Sequence, residues 1–209
     1  DRGIDSHRFI GIDVGAETIK VVELSRIDGQ LRWTRRSLVD HQKAPGPALT
    51  EVLRAWDWDA RPVSAAAASG RLSRAVDLPR IPAKQAQGRG CRFLHGGAPT
   101  TVVSIGSHGF SVLELHDGGV EILRENSRCS QGTGNFLRQL VERFNLDIEG
   151  ASALSAGIAD PAPLSGRCPV ILKTDMTHLA NKGEDRARIL AGPYDAVCEN
   201  VHVLIKPAV

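Results

Sequence analysis

Two stretches of the chain, residues 8–24 and 101–115, carry the same pattern of apolar and polar positions. In each stretch an apolar run is followed by a glycine-containing turn and then by a second apolar run. This pattern is typical of two strands joined by a tight loop. After the first stretch, Asp28-Gly29 predicts a hairpin turn that leads into residues 31–33.

The two stretches repeat each other position by position. Gly106 stands where Gly15 stands in the first copy, and residues 112–115 (Val-Leu-Glu-Leu) lie at the same offset from it as residues 21–24 (Val-Val-Glu-Leu) do from Gly15. An Asp-Gly pair follows both copies. Two copies of a strand–loop–strand–turn unit imply a duplicated α/β domain. The predicted lobes are residues 8–97 and 98–209.

Outside the repeats, other patterns predict further elements. A Pro/Gly break at residues 45–47 precedes a short predicted helix that ends near Trp56, and residues 63–68 predict a buried strand. After the second repeat the apolar period changes from 2 to 3.6. It predicts one helix that starts at about Gly134, one that is ended by Gly183, and a third apolar stripe that runs to the last residues.

Composition and charge narrow the class of protein. The chain has 209 residues, of which 42% are hydrophobic, enough to bury a core, so disorder is excluded. A net charge of +2 without blocks of like charge does not indicate a nucleic-acid partner. Because no apolar run approaches the roughly 18 residues of a membrane span, we expect a cytoplasmic protein without membrane segments.

The first glycine-containing turn is a candidate phosphate loop. Gly15 allows backbone N–H groups to close around phosphate oxygens, and Asp13 could hold a hydrated Mg²⁺. Thr18 and Lys20 follow the turn, and Lys20 is a candidate phosphate partner. An Asp-x-Gly hairpin is by itself a common piece of structure, so the second copy is what favours the phosphate-loop interpretation.

Two of the four cysteines precede predicted helices. Cys129 and Cys168 each lie where a helix begins, and the positive end of the helix dipole favours a thiolate there. Two such cysteines cannot complete a four-thiolate site within one chain, but a symmetric dimer can. The other two are predicted to be small buried hydrophobes, Cys91 in a turn that enters the second lobe and Cys198 on a helix.

Three segments together carry a family resemblance: residues 11–20 (GIDVGAETIK), residues 128–137 (RCSQGTGNFL) and the Cys-Pro-Val that begins at Cys168. The chain resembles the BadF/BadG/BcrA/BcrD family, which comprises ATPase activators of 2-hydroxyacyl-CoA dehydratases and ATPase subunits of benzoyl-CoA reductases. The resemblance extends from residue 8 to about residue 205.

The resemblance implies the duplicated actin-like ATPase fold of acetate and sugar kinases, Hsp70 and actin, with ATP and Mg²⁺ in the cleft between the lobes. It also implies a homodimer in which Cys129 and Cys168 of both subunits hold one [4Fe–4S] cluster. ATP binding in that family drives electron transfer from the cluster to a CoA-thioester dehydratase or reductase.

The resemblance assigns the nucleotide contacts to two loops and to the glycines before the next helix. These residues are Asp13, Gly15, Ala16, Glu17, Thr18, Lys20, Gly106, Ser107, Gly132 and Gly134. The second loop, residues 104–109, reads Ser-Ile-Gly-Ser-His-Gly where the family has Asp-Ile-Gly-Gly-Gln-Asp, so Ser104 replaces an acidic residue and hydrolysis is left open. We expect the adenosine-binding segment to follow residue 205 and the second lobe to be incomplete.

Two other functions remain open at this point. A sugar-kinase-like phosphotransferase of the same superfamily would use the cleft for transfer to a hydroxyl group, but it would need a carboxylate near the second loop, where Ser104 lies. A non-catalytic pair of lobes from a larger activase would keep the cluster or the dimer contact without ATP turnover.

Overall fold

The two repeated stretches form the central hairpins of two separate β-sheets. A computed structural model describes residues 7–119, 121–126, 133–164 and 168–205. The chain divides into two compact units, Asp1–Phe93 and Leu94–Val209, and each unit holds one sheet. The lobe boundaries given above stay a prediction.

The first unit is built on a four-stranded sheet in the order β3-β2-β1-β4. Its strands are β1 (Arg8–Val14), β2 (Thr18–Ile27), β3 (Gln30–Asp40) and β4 (Ala65–Ser69). Strands β1, β2 and β3 are antiparallel neighbours, whereas β4 runs parallel to β1. Its helices are α1 (Pro45–Ala55) and α2 (Ala83–His95), the second of which extends past the boundary between the units.

Alternation along β1 produces the core of this unit. Every second residue of the strand is buried, and its apolar side chains pack with those of β2 and with Leu49 and Val52 of α1. At the predicted Asp-Gly turn, Asp28 has φ 51° and Gly29 has φ 79°, the left-handed geometry of a two-residue hairpin. The predicted hairpins and the predicted helix of this unit are present. The predicted strand is present as β4, but the expectation that it is buried is corrected: β4 lies at the edge of the sheet, and Ala68 is its one buried residue.

The described residues of the second unit form a three-stranded antiparallel sheet, in the order β5-β6-β7, and four α-helices. They are β5 (Thr100–Ile105), β6 (Phe110–Leu115), β7 (Glu121–Asn126), α3 (Gly134–Glu142), α4 (Ile148–Ser155), α5 (Pro169–Asn181) and α6 (Arg186–Leu204). Apolar side chains of β6 and of all four helices form one core. Within the described residues, no helix combines the length and apolar character needed to cross a membrane.

The sheets share one topology except at one edge. In both, the hairpin of the repeat is extended by a third antiparallel strand after the Asp-Gly pair. In the first sheet β4 covers the other edge of β1. At the equivalent edge of β5 the described residues supply no strand, and Val103 and Ile105 of β5 are exposed.

Three details differ from the sequence-based expectations. The segment around Cys91, expected to be a turn, lies in α2, because the good helix formers of residues 83–87 start a helix that continues through Gly88 and Gly90. Helix α4 and strand β7 were not predicted. The apolar period places Phe144 on the helix that starts at about Gly134, but α3 ends at Glu142, so Phe144 packs on the core from beyond the helix.

A buried ion pair closes one end of the first core. Arg8 on β1 donates to the carboxylate of Glu23 on β2, and both side chains are almost fully buried. Arg8 also donates to the carbonyl oxygens of Trp58 and Arg61, each at 3.2 Å, while the hydroxyl of Thr34 donates to Glu23 at 2.9 Å. The pair therefore ties β1, β2 and β3 to the loop after α1.

Burial and the neighbouring groups shift the pKa of Glu23 in opposite directions. Burial by itself raises the pKa of Glu23, but hydrogen bonds from Arg8 and Thr34 and the charges of Arg8 and Arg35 outweigh it, so the pKa lies below its ordinary value.

Glu23 belongs to the repeated tetrapeptide, and its counterpart Glu114 is also buried and bound by an arginine of the next strand, Arg124, at 2.9 Å. The repeated glutamate is thus a structural feature of both units.

We predict that Glu23→Gln destabilises the protein by about 3–5 kcal/mol at neutral pH, because it leaves the buried guanidinium of Arg8 without its counter-charge. Urea unfolding monitored by circular dichroism measures the loss. As a control, the double variant Arg8→Met/Glu23→Leu removes both charges and should be less destabilised than Glu23→Gln. Equal stability of the single variant and the wild type would contradict this account.

We also predict an acid dependence with a defined sign. Because the folded-state pKa of Glu23 is below its ordinary value of 4.5, the ionised carboxylate stabilises the fold above that pH. This contribution is lost as the pH falls through the lower folded-state pKa. The free-energy difference between the wild type and Glu23→Gln should therefore shrink as urea unfolding is repeated below about pH 4.

Candidate functional site

The first candidate loop is the three-residue connection, residues 15–17, between β1 and β2. Val14 and Ile19 form the last pair of the ladder, and the N–H of Gly15 donates to the carbonyl of Thr18 at 2.9 Å. A Cβ at position 15 would lie 2.9 Å from that carbonyl oxygen and 3.3 Å from Nζ of Lys20. Glycine is therefore required at position 15, because the backbone of Thr18 approaches too closely to leave room for a Cβ atom. The N–H of Gly15 is used within the turn.

Opposite charges face each other beside this loop. Asp13 and Lys20 are cross-strand partners, and Nζ of Lys20 donates to Oδ2 of Asp13 at 3.0 Å. The side chains are 39% and 47% exposed respectively, so the pair contributes at most about 1 kcal/mol to stability. Such a weakly held pair can exchange its partners: the carboxylate of Asp13 can bind a cation instead, and the ammonium group of Lys20 can bind an anion.

The end of β4 lies directly against the first loop. Ser69 is the parallel partner of Asp13, and the N–H of Leu72 donates to the carbonyl of Val14 at 2.9 Å. Gly70 has φ 93°, and a Cβ on it would lie 2.2 Å from Oδ1 of Asp13 and 2.5 Å from the carbonyl oxygen of Val14. Gly70 thus allows a second chain segment to approach Asp13. In the sequence, Gly70 only follows the strand that is predicted over residues 63–68.

A buried histidine also contacts the loop. Nε2 of His41 lies 3.2 Å from the carbonyl oxygen of Gly15, and the backbone N–H of His41 donates to the carbonyl of Glu17 at 3.0 Å. Ala16, Glu17 and Thr18 themselves are half-buried. No sequence signal marked His41, because it follows β3 at a distance of 26 residues from Gly15.

The second candidate loop repeats the geometry of the first. Ile105 and Phe110 close the ladder, and the N–H of Gly106 donates to the carbonyl of Gly109 at 2.8 Å, the same bond to the third following residue. The Oγ of Ser107 lies 2.8 Å from Nδ1 of the exposed His108. The duplication predicted from the sequence is therefore visible in the hydrogen bonds of both loops.

The start of α3 rests on this second loop. The N–H groups of Gly134 and Asn135 donate to the carbonyls of Gly106 and Ser107, at 2.8 and 3.1 Å. A Cβ at position 134 would lie 3.4 Å from the carbonyl oxygen of Gly106. Thr133 caps the helix by accepting from the N–H of Phe136. Gly106, Ser107 and Gly134 are thus brought together, whereas Gly132 lies outside the described residues.

The cysteines differ in their surroundings. Cys168 is exposed and occupies the N-cap of α5, where its side chain forms no capping hydrogen bond. Cys129 lies outside the described residues, so the pairing of the two cysteines stays a prediction. Cys198 is exposed on α6, which corrects the expectation that it is buried, and Cys91 is half-buried in α2. Over the described part of the chain, no group of three or more metal-binding side chains is present.

The family of the chain follows from comparison with known proteins. Residues 10–207 match the model of the BadF/BadG/BcrA/BcrD ATPase family. The chain belongs to this family. A subunit of the benzoyl-CoA reductase from Thauera aromatica is 26% identical over 204 residues, which cover 94% of this chain and 72% of that protein. The 2-hydroxyisocaproyl-CoA dehydratase activator from Clostridioides difficile is 24% identical over 107 residues, 51% of this chain and 40% of the activator.

Two solved structures, a dehydratase component and a dehydratase activator, share the fold. Component A of the (R)-2-hydroxyglutaryl-CoA dehydratase from Acidaminococcus fermentans superposes with a TM-score of 0.82 at 23% identity, covering 95% of this chain and 77% of that one. The activator of the 2-hydroxyisocaproyl-CoA dehydratase from Clostridium difficile, with bound ADPNP, superposes with a TM-score of 0.81 at 21% identity. The superposition covers 94% of this chain and 74% of the activator chain. The predicted α/β fold of actin-like ATPases is confirmed.

We predict that Gly70→Ala destabilises the protein more than Gly29→Ala does. Gly29 has φ 79° and Gly70 has φ 93°, so alanine meets similar backbone strain, of order 1 kcal/mol, at both positions. The added methyl group at position 29 meets no atom within 4 Å, whereas at position 70 it collides with Asp13 and Val14. Urea unfolding of both variants isolates the cost of the collision. Equal losses would show that the approach of Gly70 to Asp13 is not tight.

Proposed function

We propose that this chain is an ATP-dependent activator that binds Mg·ATP and delivers electrons to a CoA-thioester dehydratase or reductase. The observation that carries the proposal is the pair of hairpin loops with the same closing hydrogen bond, Gly15 to Thr18 and Gly106 to Gly109, in a member of an ATPase family. The bound ADPNP of the structurally similar activator supports ATP as the ligand.

On the first loop, each charged group has a distinct task in this proposal. The half-exposed carboxylate of Asp13 suits a hydrated Mg²⁺, which prefers oxygen ligands and keeps several of its waters. The ammonium group of Lys20, released from Asp13, would compensate the charge of the phosphates. Glu17 needs to face the metal or turn away, because its carboxylate would otherwise repel the triphosphate.

On the second loop, Gly106 and Ser107 are the proposed phosphate contacts. The Oγ of Ser107 can donate a hydrogen bond to a phosphate oxygen. Residues 104–109 contain no acidic side chain, so this loop supplies no carboxylate to position an attacking water or to accept the proton of a sugar hydroxyl. This composition favours nucleotide binding with slow hydrolysis and disfavours a sugar kinase.

Cys129 and Cys168 of two subunits are the proposed ligands of one [4Fe–4S] cluster. The fit rests on Cys168, whose exposed thiol lies at the N-terminus of α5 and is not used for capping. Thiolates are favoured at that end of a helix and are the usual cluster ligands. When bound, such a cluster supplies the electron. The chain's own task is to hold the cluster between two copies of itself.

We predict that Asp13→Asn weakens the binding of Mg·ATP by at least tenfold, because an amide oxygen carries no charge to attract the cation. Isothermal titration calorimetry on the chain measures the affinity. Asp28→Asn is the matched control, since Asp28 lies in the turn between β2 and β3 and should leave the affinity unchanged. Unchanged affinity in Asp13→Asn would remove the first loop from the site.

We expect Ser104→Asp to raise the rate of phosphate release, because it restores a carboxylate to the second loop. A coupled phosphate-release assay compares it with Ser104→Asn, which has nearly the same size but no charge. If both variants hydrolyse ATP at the wild-type rate, Ser104 does not limit the rate of hydrolysis.

Substitution of either Cys129 or Cys168 by alanine is expected to abolish the cluster and the dimer that it bridges. Anaerobic reconstitution, followed by iron analysis and sedimentation, measures both properties. Cys91→Ala and Cys198→Ala serve as controls and should retain iron. A wild-type protein that takes up no iron under these conditions would contradict the proposed electron transfer, while leaving nucleotide binding unaffected.

A further inference from the structure

His41 lies between β3 and α1 and is only 3% exposed. Its Nε2 faces the carbonyl oxygen of Gly15 at 3.2 Å. Because a carbonyl oxygen only accepts hydrogen bonds, Nε2 must carry the hydrogen. The backbone N–H of the same residue donates to the carbonyl of Glu17. His41 therefore donates hydrogen bonds to two of the three carbonyl groups at positions 15–17.

The backbone around His41 is held in a costly conformation. Gln42 and Lys43 have φ of 45° and 66°, in the left-handed region that costs a non-glycine residue of order 1 kcal/mol. The turn is fixed by the carboxylate of Asp40, which accepts from the N–H of Gln42 at 2.8 Å, and by the N–H of Ala44, which donates to the carbonyl of His41 at 2.6 Å. Strain of this kind concentrates where a residue must be placed for function.

Packing alone does not account for a histidine at this position. Among the described residues, Nδ1 of His41 is buried and has no hydrogen-bond partner. Leaving a buried polar atom unpaired costs about 1–3 kcal/mol, and an apolar side chain would fill the same space without that cost. The contribution that remains for the imidazole is the hydrogen bond from Nε2 to Gly15.

We propose that His41 is a positioning residue that orients the first loop for phosphate. In a planar trans peptide, the C=O and the following N–H point in opposite directions. When His41 holds the carbonyl of Gly15, the N–H of Ala16 is directed to the opposite side, the direction in which a phosphate oxygen can accept it. This inference rests on the proposed function, and it deepens that function by assigning the orientation of one phosphate donor.

Three substitutions of His41 separate this role from packing. Glutamine can place an amide N–H where Nε2 lies, asparagine reaches only as far as Nδ1, and leucine fills the volume without a donor. We expect His41→Gln to bind Mg·ATP within about twofold of the wild type, and His41→Asn and His41→Leu to bind about five- to tenfold more weakly, the effect of one hydrogen bond. Calorimetry measures the affinities. Val52→Ala, which opens a cavity in the core of the first unit, controls for general destabilisation.

A second readout does not require the nucleotide. Amide hydrogen exchange at Gly15 and Ala16 in the ligand-free protein should be faster in the asparagine and leucine variants and near the wild-type rate in the glutamine variant. Equal exchange and equal affinity in all three variants would overturn the role of His41, as would losses in Val52→Ala as large as those in His41→Asn. If the wild type binds no Mg·ATP, the proposed function and the phosphate role of His41 both fail, and the exchange rates then show whether His41 still holds the loop.

Discussion

One hydrogen bond, from a glycine N–H to the carbonyl of the third following residue, sets the shape of both candidate loops. It is formed by Gly15 with Thr18 and by Gly106 with Gly109, in each case one residue after the last ladder pair of a hairpin. The bond requires the close approach that only glycine permits at position 15. Each loop is then held from outside, the first by His41 and by the N–H of Leu72, which Gly70 allows to approach Val14, and the second by the start of α3.

The repeated glutamates anchor the same hairpins away from their loops. Glu23 is buried in the middle of β2 and Glu114 near the end of β6, and each is bound by an arginine of a neighbouring strand. A buried ion pair contributes little net stability but is costly to break, so it fixes the register of the strands that carry it. Since the side-chain period of a strand is two, a shift by one residue would also move Asp13 to the buried face of the sheet.

The sequence predicted the parts of the fold that depend on local pattern. The two hairpins, α1, α3, α5 and the C-terminal half of α6 follow from periodicity and from Gly and Pro near several of their ends, and the family followed from short motifs. Helix α6 begins at Arg186, well before the predicted apolar stripe, and continues through Pro193. Helix α2 was missed because Gly88 and Gly90 argue against a helix, although the residues before them favour one. Contacts between segments distant in sequence were not visible. His41 and Gly70 reach the first loop only through the pairing of β3 with β2 and of β4 with β1.

The most direct test of the account is a titration of the ¹⁵N-labelled chain with Mg·ADPNP, followed by amide chemical shifts. We expect the largest changes at residues 13–18 and 104–109, with a further change at His41, and no change at the Asp28-Gly29 turn. Changes confined to other segments, or the absence of any change at saturating nucleotide, would contradict the assignment of the two hairpin loops to phosphate binding.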